Sequence, residues 1–398
     1  MRKISLLVLL SFALVGCSTL DTAKEAMSGI YDYFSGGEDN TEPPTPLAEN
    51  PVHELDVQVL WKESIGVGAD GHSLKLAPAI AGGRVIAADK KGVVEARDAK
   101  TGSLLWDVET GIPFSAGPSL AAGRIILGSS KAKVVALNSE NGEQLWENTV
   151  SSEVSAMPTI ARGKVLIRTV AGEIVALEEA TGKRLWAYEH SVPALSIRGS
   201  GMPLVIGDKV IVGYDNGKLV ALQLSNGKYI WETTIAMPKG RSEIERLVDL
   251  DVDPVVIDGI IYIAGYNGGV SAVSADTGEV LWRREQFSSH TGLSYDTRHL
   301  YMSDVNSQVL QLEQARGGGL WKQTELKHRK LTAPLLYQDY LVVGDYNGFV
   351  HWLSVRDGRL LGRVQVTDEG AIDVKPVMAD GIVYVYAKDG TLAALTAH

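Results

Sequence analysis

Two stretches of this 398-residue chain have the residue types and spacing that chemistry could use. Gly66-Val67-Gly68-Ala69-Asp70-Gly71 fits G-x-G-x-x-G, the loop that cradles a dinucleotide pyrophosphate. That cradle needs a following helix N-terminus. Here Lys75-Leu76-Ala77-Pro78 reads as the next strand, so no βαβ unit supports it. Asp249, Asp251 and Asp253 have the spacing of the first half of an EF-hand loop. The sixth position is Pro254 where the sharp turn needs Gly, and the twelfth is Ile260 where the cation needs a bidentate Glu. A polar loop face or a protein contact fits these aspartates better than calcium does. The eight histidines are scattered, with no H-E-x-x-H, and no G-x-S-x-G elbow is present. Cys17 is the only cysteine, which rules out an intrachain disulfide and a cysteine zinc site. The sequence therefore reads as non-enzymatic, with no catalytic, metal or cofactor-binding residues.

The elements that would position any site are repeats. Gly268–Trp282 reads as a strand, an Asp276-Thr277-Gly278 turn and a return strand, with the apolar alternation of a half-buried strand at Val270, Ala272 or Val273, and Ala275. The same pattern leads to Trp106, Trp146, Trp186, Trp231 and Trp321, the last through Gly318; Gly362 takes the Trp slot in a further copy. Pro78, Pro118, Pro158, Pro203, Pro254, Pro334 and Pro376 open the units, with Leu293 in one Pro slot. Pro-to-Trp spacing is constant at 28, from Pro78 to Trp106 onward. A period near 40 with about four strands per unit, called A to D, predicts an all-β, eight-bladed β-propeller with four-stranded blades. The unit opening at Pro376 ends before its last strand, and Val57–Trp61 is expected to supply that strand and close the ring. The Trp residues are expected to pack between blades.

Length varies only between a Trp and the next Pro: 17, 12, 12, 17, 23, 11, 13 and 14 residues in chain order. These are all D-to-A connections, which share one rim with the B-to-C loops. Insertions gathered on one face mark a binding face. The two longest inner loops, 187–202 and 232–253, flank one blade.

Arg2-Lys3 followed by the apolar run Ile4–Val15 has the form of a signal peptide and is too short to span a membrane. Leu14-Val15-Gly16-Cys17 resembles the lipobox of bacterial lipoproteins. The domain organisation expected is a signal peptide at 1–16, a lipidated tether at 17–55 and the propeller at 56–398. Within the tether, Asp21–Phe34 reads as a short amphipathic helix, and Gly36-Gly37 with Pro43, Pro44, Pro46 and Pro51 gives linker composition. Removing 1–16 leaves 36 basic and 48 acidic residues, a charge near −12. That argues against non-specific binding to nucleic acid or to anionic lipid.

The repeat of Val-Ala-Leu, Thr-Gly and Trp resembles the quinoprotein propellers. The enzymes of that family hold pyrroloquinoline quinone, commonly against a vicinal disulfide that one cysteine cannot form. Pro193–Gly199, Ser242–Asp251 and His328–Gly362, with the lipobox and tether, sharpen the likeness: the chain from Cys17 to His398 resembles the BamB family. These are lipoprotein subunits of the machinery that inserts β-barrel proteins into the bacterial outer membrane. The resemblance implies a lipid on Cys17, an outer-membrane location on the periplasmic face given Ser18 after the cysteine, and docking on the POTRA domains of the central subunit, BamA. It leaves open direct contact with unfolded outer-membrane proteins. It assigns the docking surface to Leu195, Ile197, Arg198, Asp249 and Asp251. Leu195 and Ile197 alternate with Ser196 and would share a side of an extended loop. Arg198 could pair with a partner carboxylate, or internally with Asp249 or Asp251. The alternative readings are a lipid-anchored propeller binding another periplasmic protein or a glycan, and a quinone-dependent dehydrogenase.

Overall fold

Seven sheets follow in chain order as blades 1 to 7, at 79–109, 114–149, 159–188, 204–234, 255–284, 293–323 and 335–365. Blade 8 takes three strands from 377–397 and its outer strand D from Val57–Ser64. This is a computed structural model that describes residues 42–49, 54–191, 201–238, 247–250 and 252–398. Cys17 and the Asp21–Phe34 segment lie outside the described residues. Thr45–His398 forms one unit. Each blade is an antiparallel meander, so the D-to-A and B-to-C loops share one rim.

Ring closure follows the expected register. Val57 pairs with Ala397 and Ser64 with Thr391, so strand D of blade 8 runs to Ser64, three residues past Trp61. One sheet departs from four strands. Lys75–Leu76 does not start blade 1, whose strand A is Ala79–Ala81; it pairs in parallel with Ala116–Gly117 and gives blade 2 a fifth strand. The long Trp61–Pro78 connection supplies the chain for that pairing. Pro118 therefore stands inside strand A of blade 2, Phe114–Ala121, and not at its first residue.

The half-buried alternation expected at Gly268–Trp282 does not hold. Val270, Ser271, Ala272 and Val273 are all buried. An inner strand of a propeller has a neighbouring blade on each face, so both of its faces lie in a core. The hydrophobic clusters accordingly join adjacent blades, one of them drawing on blades 4, 5 and 6.

The repeated Gly and Trp turn out to be two halves of one contact. Each blade's Trp lies over the C-to-D turn Gly of the next blade: Trp61 over Gly102, Trp146 over Gly182, Trp231 over Gly278. A Cβ at Gly182 would fall 2.4 Å from the Trp146 ring, so no other residue fits. The indole N–H of Trp61, Trp146 and Trp282 donates to a carbonyl in that same turn region, on Ala99, Glu179 and Gln314. In blade 6 the turn Gly is Gly317, with φ near 68°, and not Gly318; it lies four residues before Trp321, as Gly278 does before Trp282.

Blade 7 inverts the pair. Strand C elsewhere places Ala opposite the Trp, such as Ala136 opposite Trp146, except in blade 6, where Gln311 faces Trp321. In blade 7 Trp352 of strand C faces Gly362 of strand D. Gly362 leaves room for the chain's own N-terminal segment: a Cβ there would lie 3.0 Å from the Leu55 carbonyl. Glu54 and Leu55 donate their amides to the Leu361 carbonyl at 2.9 and 3.2 Å. Further up, Arg363 donates to the Ala48 carbonyl at 2.6 Å and Thr45 to the Lys327 carbonyl at 3.0 Å.

Candidate functional site

The two long loops leave strand D of blade 3 (Arg184–Tyr188) and strand D of blade 4 (Tyr229–Thr234), and so flank blade 4 on the D-to-A rim. Leu195, Ile197, Arg198 and Asp251 lie outside the described residues. Asp249 is described and is only 4% exposed, so its carboxylate faces the protein. Its amide donates to the Tyr266 carbonyl at 3.2 Å, and Asn267 holds the Leu247 carbonyl at 3.0 Å.

Leu250 shows why the chain folds this way here. It is fully buried between blades 4 and 5. Gly213 at the end of strand B of blade 4 allows this; a Cβ there would lie 2.3 Å from the Leu250 carbonyl. Gly265 does the same in blade 5, 2.4 Å from the Asp249 carbonyl. Leu250 thus anchors the segment that carries Asp249.

The first loop is held at both feet. The His190 ring lies 4.1 Å from the Tyr214 ring, and Asn216 approaches its Nε2 at 3.0 Å. Burial pulls the His190 pKa down, against the pull of Glu232, which leaves the imidazole neutral at pH 7. Burial likewise pushes the Tyr214 phenol up. At the other foot Arg168 Nη1 donates to the Gly201 carbonyl at 3.2 Å. Arg168 Nη2 reaches Asp215 at 3.2 Å, and its guanidinium lies over the Tyr214 ring at 5.4 Å. The Met202 amide donates to Asp253 Oδ1 at 2.8 Å, which ties the end of the first loop to the end of the second. Reading the sequence for exposed loop residues misses Arg168, His190, Asp215 and Leu250. The signal available was Arg168 directly after the apolar run Val165–Ile167 of strand Lys164–Arg168.

The two rejected motifs have structural roles. A Cβ at Gly68 would fall 2.2 Å from the Gly390 amide, and Val67 donates to Asp89 at 2.9 Å, so the glycine loop packs blade 1 against blade 8. Asp253 is the inter-loop acceptor.

Eight blades, Trp-on-Gly docking and loop insertions on one rim define a β-propeller of the quinoprotein-like repeat class. A family model described as outer membrane protein assembly factor BamB matches residues 90–323 and 305–398. The assembly factor BamB of Yersinia pestis is 35% identical, with 100% of this chain and 99% of the relative covered. That of Alkalilimnicola ehrlichii is 47% identical, covering 85% and 88%. The crystal structure of BamB from Moraxella catarrhalis superposes with a TM-score of 0.78 at 25% identity, covering 86% of this chain and 100% of that one. The chain belongs to the BamB family of outer membrane protein assembly factors.

Proposed function

We propose that this protein is a non-catalytic, lipid-anchored scaffold of the outer-membrane assembly machinery. It docks through the two loops flanking blade 4 onto the periplasmic POTRA domains of BamA and aids folding and insertion of β-barrel proteins. Residues 1–16 are removed, Cys17 carries the lipid, and the protein stands on the periplasmic face of the outer membrane. The observation that carries the docking reading is the pairing of the loops: the two longest inner connections flank one blade, and Met202 and Asp253 join their ends.

Leu195 and Ile197 supply the apolar contact, worth about 1.5–3 kcal/mol each when a partner buries them. Arg198 pairs with a partner carboxylate. Asp249, being buried, acts from within by orienting the loop, with Asp251 beside it in sequence. The test is binding of the purified protein to the POTRA region with Arg198→Glu and Leu195→Asp. Each variant is expected to lose at least about tenfold in affinity with an unchanged melting temperature. Wild-type affinity in both variants would remove this rim as the partner site and favour a different periplasmic partner or a glycan.

A further inference from the structure

The eight repeats can be compared position by position, and one position breaks the pattern beside the candidate docking loop. Ten residues after the Pro slot, at or one residue before the end of strand B, stand Ala88, Gly128, Arg168, Gly213, Ala264, Ser303, Gly344 and Tyr386. Six of these are small, for a visible reason. A Cβ on Gly128 would meet Val154 at 2.3 Å, on Gly213 it would meet Leu250, and on Gly344 it would meet Ile372 at 2.4 Å. Val154, Leu250 and Ile372 stand four residues before the next Pro slot. In these blades the D-to-A loop is pinned by dropping an aliphatic side chain onto the end of strand B.

Between blades 3 and 4 both members are exchanged. The residue four before Pro203 is Gly199, which has no side chain to drop, and the strand end is Arg168. The guanidinium therefore reaches up from the blade to the loop. It is 1% exposed, a place where a charge needs a counter-ion and filled hydrogen bonds. Asp215 of blade 4, 5% exposed, is the counter-ion, and the Gly201 carbonyl takes a second N–H. Tyr214, under the guanidinium, also carries the His190 ring at the loop's other foot.

We propose that Arg168 is a positioning residue for docking: the Arg168–Asp215 pair stands where blades 2, 4 and 7 use an aliphatic pin, and sets the feet of the loop bearing Leu195, Ile197 and Arg198. This rests on the docking reading above. Affinity depends on it because a loop ordered before contact loses less entropy on binding.

The test uses Arg168→Met together with Asp215→Leu, an apolar pair that leaves no orphaned buried charge. Three quantities are read: melting temperature, amide exchange over 188–203, and affinity for the POTRA region. The expected result is a folded protein with near-native melting, exchange faster by at least about tenfold confined to that loop, and affinity lower by about tenfold. Arg168→Lys keeps the charge pair with a single ammonium and is expected to fall between the two; it also serves if the double variant does not fold. Unchanged loop exchange in the folded variants overturns the proposal, as does faster exchange with wild-type affinity. If the wild type itself does not bind the POTRA region, the docking reading fails, while the exchange result still decides whether Arg168 holds the loop.

Discussion

His351 sits in the one fully buried imidazole–carboxylate pair among the described residues. Its Nε2 meets Asp345 at 2.8 Å, and Arg329 Nε reaches the same carboxylate oxygen at 2.8 Å. Both pair members are 0% exposed. Burial pulls the His351 pKa down, and Arg329 adds to this, while Asp345 opposes it. Burial pushes Asp345 up, but His351 and Arg329 together bring it below the ordinary carboxylate value. A depressed histidine pKa means that the unfolded chain takes up a proton near pH 6.5 which the folded chain refuses. The stability this group contributes is thus complete above that pH and lost as pH falls below it. The lowered Asp345 adds a loss of the same sign at more acid pH. Urea unfolding between pH 7 and 5 should therefore show a shallower fall for His351→Gln than for the wild type. An equal slope in the two proteins would mean that His351 titrates normally in the fold.

At the scale of elements, strand Val57–Ser64 does three jobs. It covers the edge of Thr391–Ala397, places Trp61 over Gly102 of blade 1, and follows the segment that crosses blade 7. Its removal reopens a sheet edge and takes a Trp out of an inter-blade core, a loss of about 3–5 kcal/mol from the Trp alone. Deleting residues 54–64 should lower the melting temperature by about 10 °C or more, read by circular dichroism. An unchanged melt would show that the ring does not depend on this closure. The same segment explains the missing Trp of blade 7. Leu55, 4% exposed, comes up against Gly362, and the indole moves across the ladder to Trp352.

At the scale of the molecule, the rim is tied together across the ring. Lys375 of blade 8 donates to the Leu293 carbonyl of blade 6 at 3.1 Å, past the inner side of blade 7. Burial lowers its pKa to about 8, against the attraction of Asp253. Thr45 donates its amide to Lys327 on the loop between blades 6 and 7, so the described chain reaches the propeller on the loop-bearing rim. On the proposal that Cys17 is the only membrane attachment, Cys17→Ser should block processing. A version starting at Ser18 behind a cleavable secretory signal should be soluble in the periplasm. Cell fractionation checks both, and recovery of the Ser18 form with the outer membrane in cells lacking the partner would require a second anchor.

The sequence by itself determined the repeat, the blade count, the closing strand and the rim that carries the long loops. All of these depend on spacing along the chain, and the 28-residue Pro-to-Trp interval conserves spacing even where Leu293 or Gly362 replaces the marker residue. Tertiary structure alone decided what lies between repeats. Ser271 is buried although polar, because a second blade covers its face. Lys75–Leu76 joins blade 2, because an inner edge was free to take it. Asp249 turns inward, because Gly213 and Gly265 let Leu250 and its neighbours sink between two blades. Arg168 becomes a loop anchor only when Asp215 and Gly201, 47 and 33 residues away, close around it. Periodicity fixes which face a residue occupies within its own blade; burial and partnership come from the adjacent blade, which no local pattern encodes.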